Sequence, residues 1–161
     1  MRLAPGDPRA GEQLASVFAD AGDAVRLAPL ADTLVARYPQ RDKPRFYRAT
    51  ALLLTDHARE AIDESRQLLG RNPKDPLAQN LLGVACATAG LRECAISAFR
   101  AALAANPRDT ATYVNLGVYH LQSGDSAAAA ESFSVALTLD RSSVSARQGL
   151  AEARAALGGR P

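Results

Sequence analysis

Several features that would announce a function are missing from this sequence. No stretch approaches the roughly 18 consecutive apolar residues of a membrane-spanning helix, so membrane insertion is not expected. The first ten residues, MRLAPGDPRA, lack the apolar core of a secretory signal. Charge of one sign is not in excess: 19 basic and 17 acidic residues leave a net +2 spread along the chain, too weak a field to recruit nucleic acid or an anionic membrane. Lysine is confined to Lys43 and Lys74, so the basic residues are nearly all Arg, and with the abundance of Ala this reads as a bacterial-like genomic bias. Cysteine is equally scarce. Cys86 and Cys94, eight apart with no His nearby in sequence, fit no zinc pattern and make no disulfide framework. Cys86 falls on the apolar side of its helix, where the favoured reading is a buried thiol acting as a small hydrophobe, with a disulfide or redox role as the alternative.

Catalytic patterns are missing too. There is no Gly-rich phosphate loop, no Ser-His-Asp order and no HExxH spacing. His57 follows a turn at Asp56 and reads as a solvent-facing residue at a helix N-terminus. His120, beside Tyr119 within a helix, reads as part of inter-helix packing. The acidic pairs Asp63 with Glu64 and Asp20 with Asp23 fall at helix surfaces or turns, where solvation and capping explain them. The expectation is a chain with no enzyme activity of its own, no cofactor and no metal.

What the chain does contain is periodicity. In Asn106 to Asp140, apolar residues recur at helical spacing on either side of Gly124, and Gly124-Asp125 supplies a helix stop followed by an N-cap. Two helices of about a dozen residues, about 18 Å long, then make a hairpin. A hairpin that buries one face needs neighbours. They are present: Pro5, Pro39, Pro73 and Pro107 are spaced by 34 residues without gaps. Gly22, Gly90, Gly124 and Gly158 share that lattice, with Asp56 in the missing slot. Ala15, Ala49, Gly83, Gly117 and Ala151 form a third register of small residues.

Each register has a physical meaning. Pro cannot continue a helix and ends the second helix of each unit. Gly accepts the left-handed conformation of the tight turn. Small residues inside the first helices, and Ala61, Ala95 and Ala129 on the second, allow close approach. Leu14, Leu82, Leu116 and Leu150, with Phe99 and Phe133, are expected to fill the space around them, each burial worth roughly 1.5 to 3 kcal/mol.

With Leu116-Gly117, Ala129, Phe133 and Pro107 in these places, the units resemble tetratricopeptide repeats over essentially the whole chain. The resemblance implies an all-α, right-handed α-solenoid of stacked antiparallel helix hairpins. Four units are expected at 8–41, 42–75, 76–109 and 110–143. Residues 144–161 then form a capping helix or a truncated fifth repeat, and residues 1–7, with Pro5 on the lattice, the tail of a preceding unit. The chain is accordingly expected to be a piece of a longer repeat protein or repeat-bearing enzyme, in which case the missing signal says nothing about compartment. Cytoplasm is otherwise favoured over periplasm. Units one and two should be the less regular, because Leu27 replaces a small residue, Pro29 should kink its helix or delay its start, Arg48 replaces Leu and Asp56 replaces Gly.

In the resembling family the first helices line a concave face. Carried over, that face holds Arg9, Glu12 and Ser16, then Lys43, Phe46, Thr50 and Leu53, then Leu77, Asn80 and Val84, then Val114, Val118 and Leu121. The slots used elsewhere in the family to clamp a chaperone's C-terminal carboxylate hold Glu12 and Ser16, Tyr47, and Leu77 and Leu81, so that clamp is absent. The expected peptide groove is charged at its N-terminal end and apolar in its middle. It is formed by Phe46, Thr50, Leu53, Leu77, Asn80, Val84, Val114, Asn115, Val118 and Leu121, with the two asparagines able to bond a peptide backbone. The resemblance thus implies a protein-interaction scaffold with a protein or peptide partner. The alternatives are a regulatory or substrate-recruiting arm of a larger enzyme, self-association through the solenoid ends, and a face whose apolar residues serve only packing.

Overall fold

The computed structural model describes residues 7–158. Among them are nine helices and no strand: α1 (Pro8–Asp20), α2 (Ala24–Arg37), α3 (Asp42–Leu54), α4 (Ala58–Arg71), α5 (Pro76–Thr88), α6 (Arg92–Ala105), α7 (Thr110–Gln122), α8 (Ser126–Leu139) and α9 (Val144–Gly158). Helices pair as α1–α2, α3–α4, α5–α6 and α7–α8, and α9 lies against α8, giving an all-α solenoid. First helices begin 34 residues apart, and so do second helices. Pro5 and the segment before it lie outside the described residues, as do residues 159–161.

The turns explain why the lattice holds. After each first helix the chain enters the left-handed region, at Gly22, Asp56, Gly90 and Gly124, with φ between 63° and 78°. The next amide then reaches back five residues, from Asp23 to the Phe18 carbonyl at 2.8 Å and from Asp125 to that of His120 at 2.9 Å. These bonds satisfy carbonyls that the helix end leaves open. Asp side chains cap two of the four following helices, Asp23 to the Arg26 amide and Asp125 to that of Ala128, both at 3.0 Å, whereas α4 and α6 have no side-chain cap. Second helices end two residues before Pro39, Pro73 and Pro107. Pro29 neither delays nor shortens α2, which starts at Ala24 in step with its counterparts.

The core lies between paired helices and continues between successive hairpins. Ala15, Ala49, Ala61, Ala95 and Ala129 are fully buried. Close approach is strictest in the later repeats: a Cβ on Gly83 would stand 2.6 Å from the Phe99 ring, and one on Gly117 2.7 Å from Phe133. Gly149 of α9 meets the same Phe133, at 2.3 Å, so this ring is enclosed from both sides. Contact within hairpins is densest in α5–α6 and α7–α8 and sparsest in α1–α2.

Three expectations about packing are corrected. Cys86 is buried but is not a free thiol: it is bonded to Cys94, joining α5 to α6 with Cα atoms 5.7 Å apart. The eight-residue separation spans the tight turn between the helices, which brings the two positions face to face. Restricting the unfolded chain in this way contributes about 2.5 kcal/mol. Leu14 is 46% exposed, because no helix precedes α1 among the described residues to cover that side. Ala151 is exposed for the converse reason: no second helix follows α9 among the described residues.

Candidate functional site

Neighbouring first helices touch, α1 with α3, α3 with α5, α5 with α7 and α7 with α9, whereas among the described residues no second helix touches the next second helix. The first helices therefore form the inner, tighter layer of the curved stack. Phe46, Thr50 and Leu53 lie on α3, Leu77, Asn80 and Val84 on α5, and Val114, Asn115, Val118 and Leu121 on α7. Leu77, 59% exposed, and Val118, 41% exposed, are the open members of this set, and the others are half-buried.

Half-burial has identifiable partners. Phe46 and Leu53 pack on the cluster of Ala49, Leu68, Ala78 and Leu81, while Val84 packs on that of Cys86, Phe99 and Tyr119. Val114 and Leu121 lean on the cluster shared by α8 and α9. Val84, Asn115 and Val118 come together around a small pocket of about 100 Å³ between α5 and α7. The Asn115 side-chain amide donates to Asn80 Oδ1 at 3.1 Å, which ties those helices together. One amide N–H₂ and one carbonyl of the pair remain for other partners. The Thr50 hydroxyl donates back along its own helix to the Phe46 carbonyl at 3.0 Å.

At the N-terminal end, Arg9, Gln13, Ser16, Lys43 and Tyr47 surround a pocket of about 350 Å³ together with Glu12 and Arg41. Glu12 is buried and accepts from Arg41 Nε at 2.6 Å and Nη2 at 3.1 Å. That hydrogen bond raises the Arg41 pKa further above the ordinary arginine value. Arg41 was not singled out by the sequence reasoning. The signal for it is positional: it occupies the cap slot that Asp7, Asp75 and Asp109 fill in other repeats, and its helix has no side-chain cap.

The titratable residues considered for catalysis stay apart. His57 is exposed, its Nδ1 3.1 Å from the Thr55 hydroxyl. His120 sits in the last turn of α7 against Tyr119, ring centroids 5.7 Å apart, and burial lowers its pKa below the usual value despite Asp125 nearby. Among the described residues no group of three or more metal-ligating side chains assembles, and no helix is long and apolar enough to cross a membrane.

The model of the Tetratricopeptide repeat family matches residues 48–109 and 90–145, together more than half of the sequence. The chain belongs to the tetratricopeptide repeat family. Solved structures agree on the fold. A thermophilic TPR protein of Thermus thermophilus superposes with a TM-score of 0.83 at 21% identity, over 93% of this chain and 82% of that one. MamA from Desulfovibrio magneticus gives 0.65 at 24% identity, over 86% and 78%. The Sgt2 TPR domain of Aspergillus fumigatus gives 0.67 at 18% identity, over 73% and 79%. No curated protein sequence matches the chain. The tetratricopeptide repeat fold is typically non-catalytic, and what it offers here is an inner layer of aligned helices.

Proposed function

We propose that this repeat stack is a non-catalytic protein-interaction scaffold whose inner layer receives an apolar helical or extended segment of another protein. The observation that carries the reading is the row of aligned positions on successive first helices, Phe46, Asn80 and Val114 in one register and Thr50, Val84 and Val118 in the next. A preformed surface of this kind binds without the cost of ordering itself. The exposure of Leu77 and Val118 supports contact with a partner, and the unspent hydrogen-bonding groups of Asn80 and Asn115 suit a peptide backbone. Leu53 and Leu121 extend the apolar middle of the face on α3 and α7.

The test is the double replacement Val84→Glu with Val118→Glu. Captured protein partners, identified by mass spectrometry after a pull-down with the unaltered chain, are expected to be lost while helicity by circular dichroism is kept. Retained capture would overturn the reading, and loss of helicity would assign these valines to packing.

A further inference from the structure

The joints between successive hairpins are not alike. α2 packs along α3, α4 along α5 and α8 along α9, but α6 and α7 meet only sparsely. One register accounts for the difference. The residue that each first helix turns toward the preceding second helix is Ala51 in α3, Ala85 in α5 and Ala153 in α9, all buried at 3% exposure or less. In α7 the same place, 34 residues after Ala85, holds Tyr119, also buried at 7%. An alanine seam lets helices approach to about 8 Å, whereas a large side chain holds them nearer 10 Å. Tyr119 stands against Phe99 of α6, ring centroids 6.3 Å apart, within the cluster that includes Cys86.

The wedge leaves space around itself. Two pockets, of about 100 and about 310 Å³, share Ala87, Tyr119 and Gln122 as walls. On the inner side the joint is bridged by the Asn115 to Asn80 bond. The third hairpin cannot absorb a bend by opening, because the Cys86–Cys94 bond ties its two helices together. The fourth is locked by Phe133 between Gly117 and Gly149.

We propose that Tyr119 makes the joint between α6 and α7 the flexing point of the solenoid, with the Asn80–Asn115 bond as its latch. Rotation there changes the separation of Val84 and Val118, which lie on opposite sides of the joint. The device stands on packing alone and does not depend on what the inner layer binds. Two hairpins of good internal packing meet here with their backbones held apart and with pockets on both sides of the wedge, and such a boundary is where a repeat stack bends at least cost.

The experiment measures distances between spin labels carried on unnatural amino acids, which spare the native disulfide. Asp63, Ser97 and Glu131 are exposed positions in one register on α4, α6 and α8. The 97–131 pair, spanning the joint, is expected to give a broader distribution than the 63–97 pair. Tyr119→Ala is expected to shorten the 97–131 distance by about 2 Å and narrow it, the difference between the two approach distances. Asn115→Ala, which leaves the wedge in place, is expected to broaden the 97–131 distribution alone. Equal widths for the two pairs in the unaltered chain would overturn the proposal even if Tyr119→Ala does not fold, and so would an unchanged 97–131 distribution in Asn115→Ala.

Discussion

The first two repeats and the last two fill the same space with different chemistry. At the register facing the small residue of the first helix, the second helices carry Ala31, Ser65, Phe99 and Phe133, all buried. The opposing first-helix residues are Ala15, Ala49, Gly83 and Gly117. Where the second helix brings a ring, the first has given up its Cβ. Where it brings a small side chain, a methyl remains. Charge divides the chain along the same line, because every ion pair among the described residues joins partners between Glu12 and Arg71. One backbone lattice therefore accommodates an early half stitched by carboxylates and guanidiniums and a late half held by rings seated on glycines. The disulfide belongs to the late half as well.

The largest expected effect breaks the late half. Phe133→Ala removes the ring enclosed by Gly117 and Gly149, where nothing adjacent can collapse without backbone movement, and should cost about 3 to 5 kcal/mol. Ser65→Ala at the equivalent place removes only a hydroxyl that donates to the Ala61 carbonyl, a change of about 1 kcal/mol or less. Denaturant titration compares the two. Hydrogen exchange should show α7, α8 and α9 losing protection in Phe133→Ala while α3 and α4 keep theirs, since each repeat leans only on its neighbours. Equal losses for the two substitutions would mean that the ring and the hydroxyl contribute alike and the halves are not different in kind.

The next effect probes the early half. Glu64 accepts from Arg45 at 2.6 Å and lies 3.5 Å from Arg48, which also reaches Asp32 at 3.2 Å. Glu64→Gln strands a nearly buried guanidinium and should cost about 3 kcal/mol, the low end for a buried pair because the Arg48 side chain is 40% exposed. Asp32→Asn should cost less than about 1 kcal/mol, since the Asp32 side chain is 64% exposed. The check is the same titration at low and high salt, where only the Asp32 pair should weaken appreciably. A salt-sensitive Glu64 contribution would show that water reaches that pair and that the early half is stitched only at its surface.

Much of this was legible in the sequence because it is periodic. Glycine turns, proline stops and the small-residue register each obey a local rule that repeats, so errors in one unit are corrected by the others. The family followed from those registers. What escaped was whatever departs from the lattice or needs a third dimension. The Cys86–Cys94 bond spans a turn and follows no repeat, so spacing alone favoured a buried thiol. Leu14 and Ala151 belong to the register but sit at its ends, where the neighbour that would cover them is absent among the described residues. Glu12 reads as a groove residue by position, yet its partner Arg41 lies 29 residues away and is brought to it by the fold. Periodicity also placed the inner-layer residues on their helices. Which of them stay open depends on packing against the clusters beneath, and that is why Leu77 and Val118 stand out only in three dimensions.

The smallest effect concerns the one turn that lacks glycine. Asp56 holds φ 63°, a conformation disfavoured for a residue with a side chain, and the early half tolerates it where the late half uses Gly90 and Gly124. Asp56→Gly should relieve part of that cost, offset by the extra freedom that glycine gives the unfolded chain, for a net gain of about 0.5 to 1 kcal/mol. In a domain of this size that is a Tm rise of about 2 °C, readable by calorimetry. The reciprocal Gly124→Asp makes the comparison sharper. If the two changes are equal and opposite, the turns are interchangeable and the halves differ only in their cores. If Gly124→Asp costs more than Asp56→Gly gains, the early turn carries its own compensation. The residues for it are Thr55, whose hydroxyl donates to the Ala51 carbonyl at 2.9 Å, and His57, whose Nδ1 lies 3.1 Å from that hydroxyl. Thr55→Ala in the Asp56 background should then lower Tm, while in the Asp56→Gly background it should have a smaller effect, because the turn no longer needs the support.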